Sequence, residues 1–135
     1  MNKRIYITHC SAKKDDSLRE TKKKVTPDKL YIAKPLQRFI KKCNEKGVDW
    51  AIFSDKYGVV FPYDKIKWYD KHPSKVNPIE FQDLVDNFIK QLSKYDEVWF
   101  YHNPGRFHQL YRKLVEEVRN KGVKIKLFTH LSEIR

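Results

Sequence analysis

Ile5-Tyr6-Ile7-Thr8-His9-Cys10-Ser11-Ala12-Lys13-Lys14 carries a short apolar strand straight into a thiol, a hydroxyl and two ammonium groups. In an open α/β sheet, ligands bind beyond the carboxyl ends of the strands. Two later apolar runs end in the same way, at Ser54-Asp55-Lys56-Tyr57-Gly58 and at Tyr101-His102-Asn103-Pro104-Gly105-Arg106. Three polar strand ends that converge make one site.

Outward from that stretch the elements alternate. Residues 3–9 read as the first strand and residues 10–26 as a polar, Lys-rich loop. Pro27-Asp28 opens a helix expected to reach residue 46, with Leu30, Tyr31, Phe39, Ile40 and Cys43 inward, and Gly47 stops it. Residues 49–54 form the second strand. Residues 55–77 are a long connection holding two of the six prolines, and connections of that length usually carry function. Asn77-Pro78 caps an amphipathic helix to about residue 93, with Phe81, Leu84, Val85, Phe88, Ile89 and Leu92 on one stripe. Residues 97–102 make the third strand. A helix over about 106–120 turns Phe107, Leu110, Tyr111, Leu114 and Val118 inward and ends at Lys121-Gly122. Residues 123–129 are the fourth strand, and residues 131–135 make one helical turn. This order predicts a single α/β domain over residues 1–135. Its sheet is mostly parallel and four-stranded, with helices on both faces in a Rossmann-like three-layer arrangement.

A chain of 135 residues buries enough apolar surface to need neither disulfide nor metal for stability. It has no apolar run of about 18 residues, so no membrane-spanning helix is expected. Arg4 and His9-Cys10 bracket too few apolar residues for a signal-peptide core, which points to the cytoplasm. Cys10 and Cys43 are too few for a disulfide framework, and no Cys/His spacing calls for a metal or an organic cofactor. Net charge is +12, and residues 12–46 hold twelve Lys/Arg against five Asp/Glu, a net +7. A clustered cationic surface attracts polyanions; it also serves plain solubility, and a charged, glycine-poor composition suits heat adaptation.

Each cluster has a chemical and a structural reading. Cys10 beside Lys13 and Lys14 would have its thiolate favoured and act as a nucleophile, or it is a small buried hydrophobe. Ser11 and the amides after it, with Lys13 or Lys14, could instead cradle an anion, although the glycines of a phosphate loop are missing. Ser54 and Asp55 can hydrogen-bond a ligand, Tyr57 and Tyr69 can stack on a base, and Gly58 permits a tight turn; the same loop could simply pack Val60 and Phe61 into the core. His102 is the acid/base candidate, ending an apolar run just before a helix start, with Asn103, Gly105 and Arg106 at an anion-binding helix N-terminus. The alternative is a hydrogen-bonded His in a turn. Asp70 is a further orienting or basic candidate. His72, His108 and His130 read as surface or structural residues.

Cys10-Ser11-Ala12-Lys13-Lys14, Leu30-Tyr31, Ser54-Asp55-Lys56-Tyr57-Gly58-Val59-Val60-Phe61-Pro62 and Tyr69-Asp70 also form a set. It runs from a strand ending in Cys-Ser-x-x-Lys, through a Tyr-bearing helix and a Ser-x-x-Tyr-Gly-x-x-x-Pro loop, to Tyr-Asp. Over residues 4–102 it resembles the small proteins labelled YaaA-like and the Cys-Ser-x-x-Lys domain of archaeosine synthase, the archaeal enzyme that modifies a deazaguanine in tRNA. The resemblance implies modified-base or nucleic-acid chemistry with Cys10, Ser11 and Lys13 at the site. In archaeosine synthase an amine attacks a nucleobase nitrile. The chain leaves the pattern after Lys14, continuing as Asp15-Asp16-Ser17 rather than through Pro-Tyr to a Ser/His pair.

The expectation is a domain that recognises a nucleotide, a nucleobase or a nucleic acid at the strand ends, with base modification or glycosidic chemistry as the reactions it could catalyse there. Two alternatives stay open. One is a non-catalytic, stress-related nucleic-acid-binding module built on the basic segment and Tyr31, Tyr57, Tyr63, Trp68 and Tyr69. The other is an accessory subunit of a tRNA- or DNA-modifying enzyme, docking its protein partner through the long loop. The sequence sets no oligomeric state.

Overall fold

The computed structural model describes residues 3–10, 13–102 and 107–135. The apolar run that opens the chain becomes β1 (Arg4–His9), with Ile5, Tyr6, Ile7 and Thr8 all buried. It is buried because strands flank it on both edges, and a parallel strand covered on both faces reads as a continuous apolar run. β2 (Lys24–Val25), β3 (Asp49–Ser54), β4 (Gly58–Val60), β5 (Ile66–Lys67), β6 (Glu97–Tyr101) and β7 (Ile125–Phe128) follow. The main sheet has the order β4-β3-β1-β6-β7. β3, β1, β6 and β7 are parallel neighbours, which are the four expected strands. β4 is a fifth, antiparallel strand on the β3 edge.

β4 arises inside the connection that reads as irregular. Gly58 lets the chain reverse after Ser54, with φ +76°, and its Cα faces Asn87 so closely that an added Cβ would lie 2.3 Å from Asn87 Oδ1. Asn87 Oδ1 accepts the Val59 N–H at 2.9 Å, which fixes the new strand against the helix carrying Asn87. The two polar loops also pair with each other, β2 antiparallel to β5. They are therefore more ordered than their composition suggests.

The helix expected over residues 27–46 is two helices, α1 (Pro27–Leu30) and α2 (Lys34–Lys46). Pro35 is the reason. In one continuous helix its missing N–H would strand the Tyr31 carbonyl, and its ring would clash there. Instead Gln37 Nε2 donates to Tyr31 O at 2.5 Å and to Asp28 O at 2.8 Å. α3 (Pro78–Gln91) begins as expected, with Asn77 and Glu80 closing a capping box. α4 (Gln109–Asn120) begins three residues later than expected, with His108 as its N-cap.

α2 packs on β1 and β3, α3 on β4 and α4, and α4 on β7. Leu30, Tyr31, Phe39, Ile40 and Cys43 are all buried, as are Leu84, Val85, Phe88, Leu110, Tyr111, Leu114 and Val118. Phe81, Ile89 and Phe107 are only partly covered. No helix among the described residues is long and apolar enough to cross a membrane.

Candidate functional site

Because β1, β3 and β6 are parallel and in register, their carboxyl ends lie side by side. His9 pairs with Phe53 and Thr8 with Tyr101. The Cys10 N–H then donates to Phe53 O at 2.8 Å, and the His102 N–H to Phe128 O at 3.1 Å. A cavity of about 640 Å³ sits over these ends. It is lined by Thr8, His9, Cys10, Lys13, Asp55, Tyr101 and Tyr111, with Lys34 to Leu36, Lys71 to Pro73 and His108 around them. A depression of about 730 Å³ on the outer side of α2 is open surface between long side chains, and its polar lining residues are all at least partly exposed. The strand-end cavity, by contrast, holds buried polar groups.

Its floor is a small hydrogen-bonded knot. Cys10 Sγ donates to Asp55 Oδ1 at 3.6 Å and shares a hydrogen bond with Tyr111 Oη at 3.3 Å. Asp55 is 1% exposed, and among the described residues its Oδ2 has no hydrogen-bond partner. Burial pushes the Asp55 carboxyl up from its ordinary range; the Cys10 hydrogen bond and the charges of Lys14 and Lys71 partly offset that. Burial also pushes the Cys10 thiol up, and the neighbouring Asp55 adds to it. The expected thiolate is therefore disfavoured. The ammonium groups that the sequence puts beside Cys10 do not outweigh a buried carboxyl group and the loss of water.

A second network lies next to the first and holds the loop. Ser54 Oγ accepts the N–H groups of Lys56 and Tyr57 at 3.1 and 3.0 Å and bonds Tyr69 Oη at 2.8 Å. Tyr69 Oη bonds Tyr31 Oη at 2.6 Å. Lys14 is buried, its ammonium 4.4 Å from the Tyr69 ring centroid. Tyr57 meets Tyr69 edge-on. Tyr69 is thus enclosed and cannot offer its face to a base. Ser54 and Gly58 build the turn and Lys14 bridges to Tyr31; these three are not among the lining residues, and neither is Tyr57 or the exposed Asp70.

The histidines are rearranged relative to expectation. His102 stacks on Phe107 at 4.5 Å but does not line the cavity. His72 and His108 do line it and meet edge-on at 5.6 Å. His9, which closes β1, lines it too, and its ring stacks on Tyr111 at 4.7 Å and 17°. The cavity thus contains Cys10, Lys13 and Asp55 from the expected set, and His9, Tyr111 and Lys71 besides. Lys71 pairs with Glu80 at 2.6 Å. Ser11, Asn103, Gly105 and Arg106 lie outside the described residues. Among the described residues no group of His, Cys, Asp and Glu side chains is arranged to hold a metal ion.

No curated protein matches the chain. A family model does, over residues 5–130, a span from β1 past the end of β7 that takes in the whole site. The chain therefore belongs to the family of unknown function DUF6884.

Proposed function

We propose that the strand-end cavity binds a nucleotide or nucleobase and that the domain modifies the base. The observation that carries this reading is the cavity itself. Its volume suits a ligand of nucleotide size, its walls are aromatic, and its floor is a buried carboxyl–thiol–phenol knot. Tyr101 and His9 supply ring surface, with Tyr111 stacked on His9. Lys13, Lys34 and Lys71 supply cations for a phosphate.

The layering behind this site is Rossmann-like in our reading. Phe39 of α2 stacks on Tyr101, whereas Phe88 of α3 and Tyr111 of α4 lie against Phe53. Tyr101 is level with Thr8, and Phe53 with His9. Neighbouring residues of a strand face opposite ways, so the two sets of contacts support an arrangement with helices on both faces. The resemblance of the Cys10 and Ser54 segments to YaaA-like proteins and archaeosine synthase supports a base-directed role, and a reducing cytoplasm suits two unpaired thiols.

One observation favours a non-catalytic nucleic-acid-binding role instead. Trp99 lies 4.2 Å from both Arg4 and Lys126, a cationic aromatic patch outside the cavity lining. Fluorescence anisotropy with labelled tRNA, duplex DNA and single-stranded DNA separates the two. The pocket reading expects free nucleotides or nucleobases to compete, and Lys13→Ala to weaken that competition about tenfold, roughly 1.4 kcal/mol. Salt-sensitive binding that no mononucleotide or nucleobase competes for transfers the function to the basic surface.

A further inference from the structure

His9 is a half-buried residue on the cavity wall, and its ring is fixed in three ways. Nδ1 lies 2.8 Å from the Cys10 carbonyl oxygen. A carbonyl only accepts, so Nδ1 carries the proton, and the neutral ring presents the Nε2 lone pair. The ring plane lies nearly parallel to Tyr111, 4.7 Å between centroids, with Phe107 6.0 Å away on a tilted plane. Tyr111 is itself tied to Cys10, so the stacking partner cannot drift.

We infer that His9 is the proton acceptor of this site, taking through Nε2 the proton of an O–H or N–H group on the bound nucleotide or on a water beside it. This rests on the nucleotide reading and gives it a base. In the transfer the O–H or N–H bond breaks, its electron pair stays on the donor atom, and the ring becomes an imidazolium held by the Cys10 carbonyl. Fixing Nδ1–H by a backbone carbonyl is how a histidine is kept in one tautomer and one orientation for such a role.

The surroundings agree. Burial pushes the His9 imidazole below the usual histidine range, its bond to the Cys10 carbonyl opposes this, and His102 and His108 lower it further. The ring is therefore neutral, and able to accept, at neutral pH. The titratable or charged groups around it are Cys10 at the end of β1, Asp55 beyond β3, His102 beyond β6, His108 and Tyr111 from α4 and its cap, and Lys13, Lys34, Lys71 and His72 on the loops that close the cavity. Tyr111 acts through His9 and is a positioning residue.

Two-bond proton–nitrogen NMR of the 15N-labelled protein tests this, with the His9 ring identified by its loss in His9→Gln. The expected spectrum has His9 as the Nδ1–H tautomer, neutral at pH values where an unfolded-chain histidine is already protonated. Its Nε2 resonance should shift when AMP, GMP, CMP or UMP is added. Tyr111→Leu should release the ring and mix the tautomers, while Tyr111→Phe keeps the stack. An Nε2–H tautomer, or a His9 ring protonated at neutral pH, overturns the assignment even if a mononucleotide binds. An Nδ1–H ring that none of the four shifts overturns the nucleotide reading and supports His9 as an acceptor for a different ligand.

Discussion

At the residue scale, the site holds a group the fold would be better off without. Asp55 is buried, one of its oxygens lacks a partner among the described residues, and burial raises its pKa from 3.8. A carboxyl raised in the folded state binds a proton more tightly there than in the unfolded chain. Its contribution is therefore fully present below pH 3.8 and is lost as pH rises through the folded value, so at neutral pH it costs stability. Asp55→Asn is expected to raise stability at neutral pH by about 1 kcal/mol, measured by urea unfolding, and to abolish ligand competition in the anisotropy assay. A variant less stable than wild type at pH 7 would mean that Asp55 is held by contacts worth more than its burial costs. The sequence marks Asp55 and Cys10 as candidate site residues because both follow an apolar strand directly, and both line the cavity. It did not show that they meet, and so it put the wrong charges beside the thiol. His9 was in plain view at the last position of β1, but a strand's final residue belongs to the cavity only once the neighbouring strands are known to be parallel and in register.

At the element scale, the segments with strong local signals formed where they were expected and the others did not. α3 shows why. Asn77 Oδ1 accepts the Glu80 N–H at 2.8 Å, and Glu80 Oε1 accepts the Asn77 N–H at 3.1 Å. That capping is written in four consecutive residues. Glu80 also holds Lys71 through its other oxygen, so the helix start anchors the segment 71–73 that closes one side of the cavity. Asn77→Ala is expected to cost about 1 kcal/mol in urea unfolding and also to weaken ligand binding by loosening that segment. A loss of stability with unchanged binding would separate the cap from the site. The break between α1 and α2, by contrast, depends on Gln37 reaching back to two carbonyls. β4 depends on a glycine facing Asn87, 29 residues downstream in sequence. Neither is a local pattern, so a reading by periodicity runs the helix through and leaves the strand as loop.

At the scale of the whole molecule, the alternation of elements was enough to give the parallel core, because each strand–helix–strand unit constrains the next. Charge was less informative. The +7 of residues 12–46 belongs partly to Lys14, which is buried against tyrosines rather than exposed to a polyanion. What charge leaves out is how many weak acids the fold buries in neutral form. Burial pushes the Cys43 thiol up from 9.0 to about 12. Cys10, Tyr31, Tyr69 and Tyr111 are raised as well, burial being the largest cause for each. Each of these groups releases its proton in the unfolded chain before it does so in the folded one. Their neutral packing thus contributes fully below about pH 9, and stability falls as pH rises through the window between the unfolded and folded values. For Cys43 alone that window runs from 9.0 to about 12, with a slope of about 1.4 kcal/mol per pH unit. The tyrosines steepen the fall above pH 10, their unfolded value. Unfolding free energies from urea curves at stepped alkaline pH should decline at least that steeply, and Cys43→Val should remove one of the two contributions that begin near pH 9, leaving that of Cys10. A free energy that stays level into that range would mean that these side chains ionise inside the folded protein, and that the core is wetter than its packing implies.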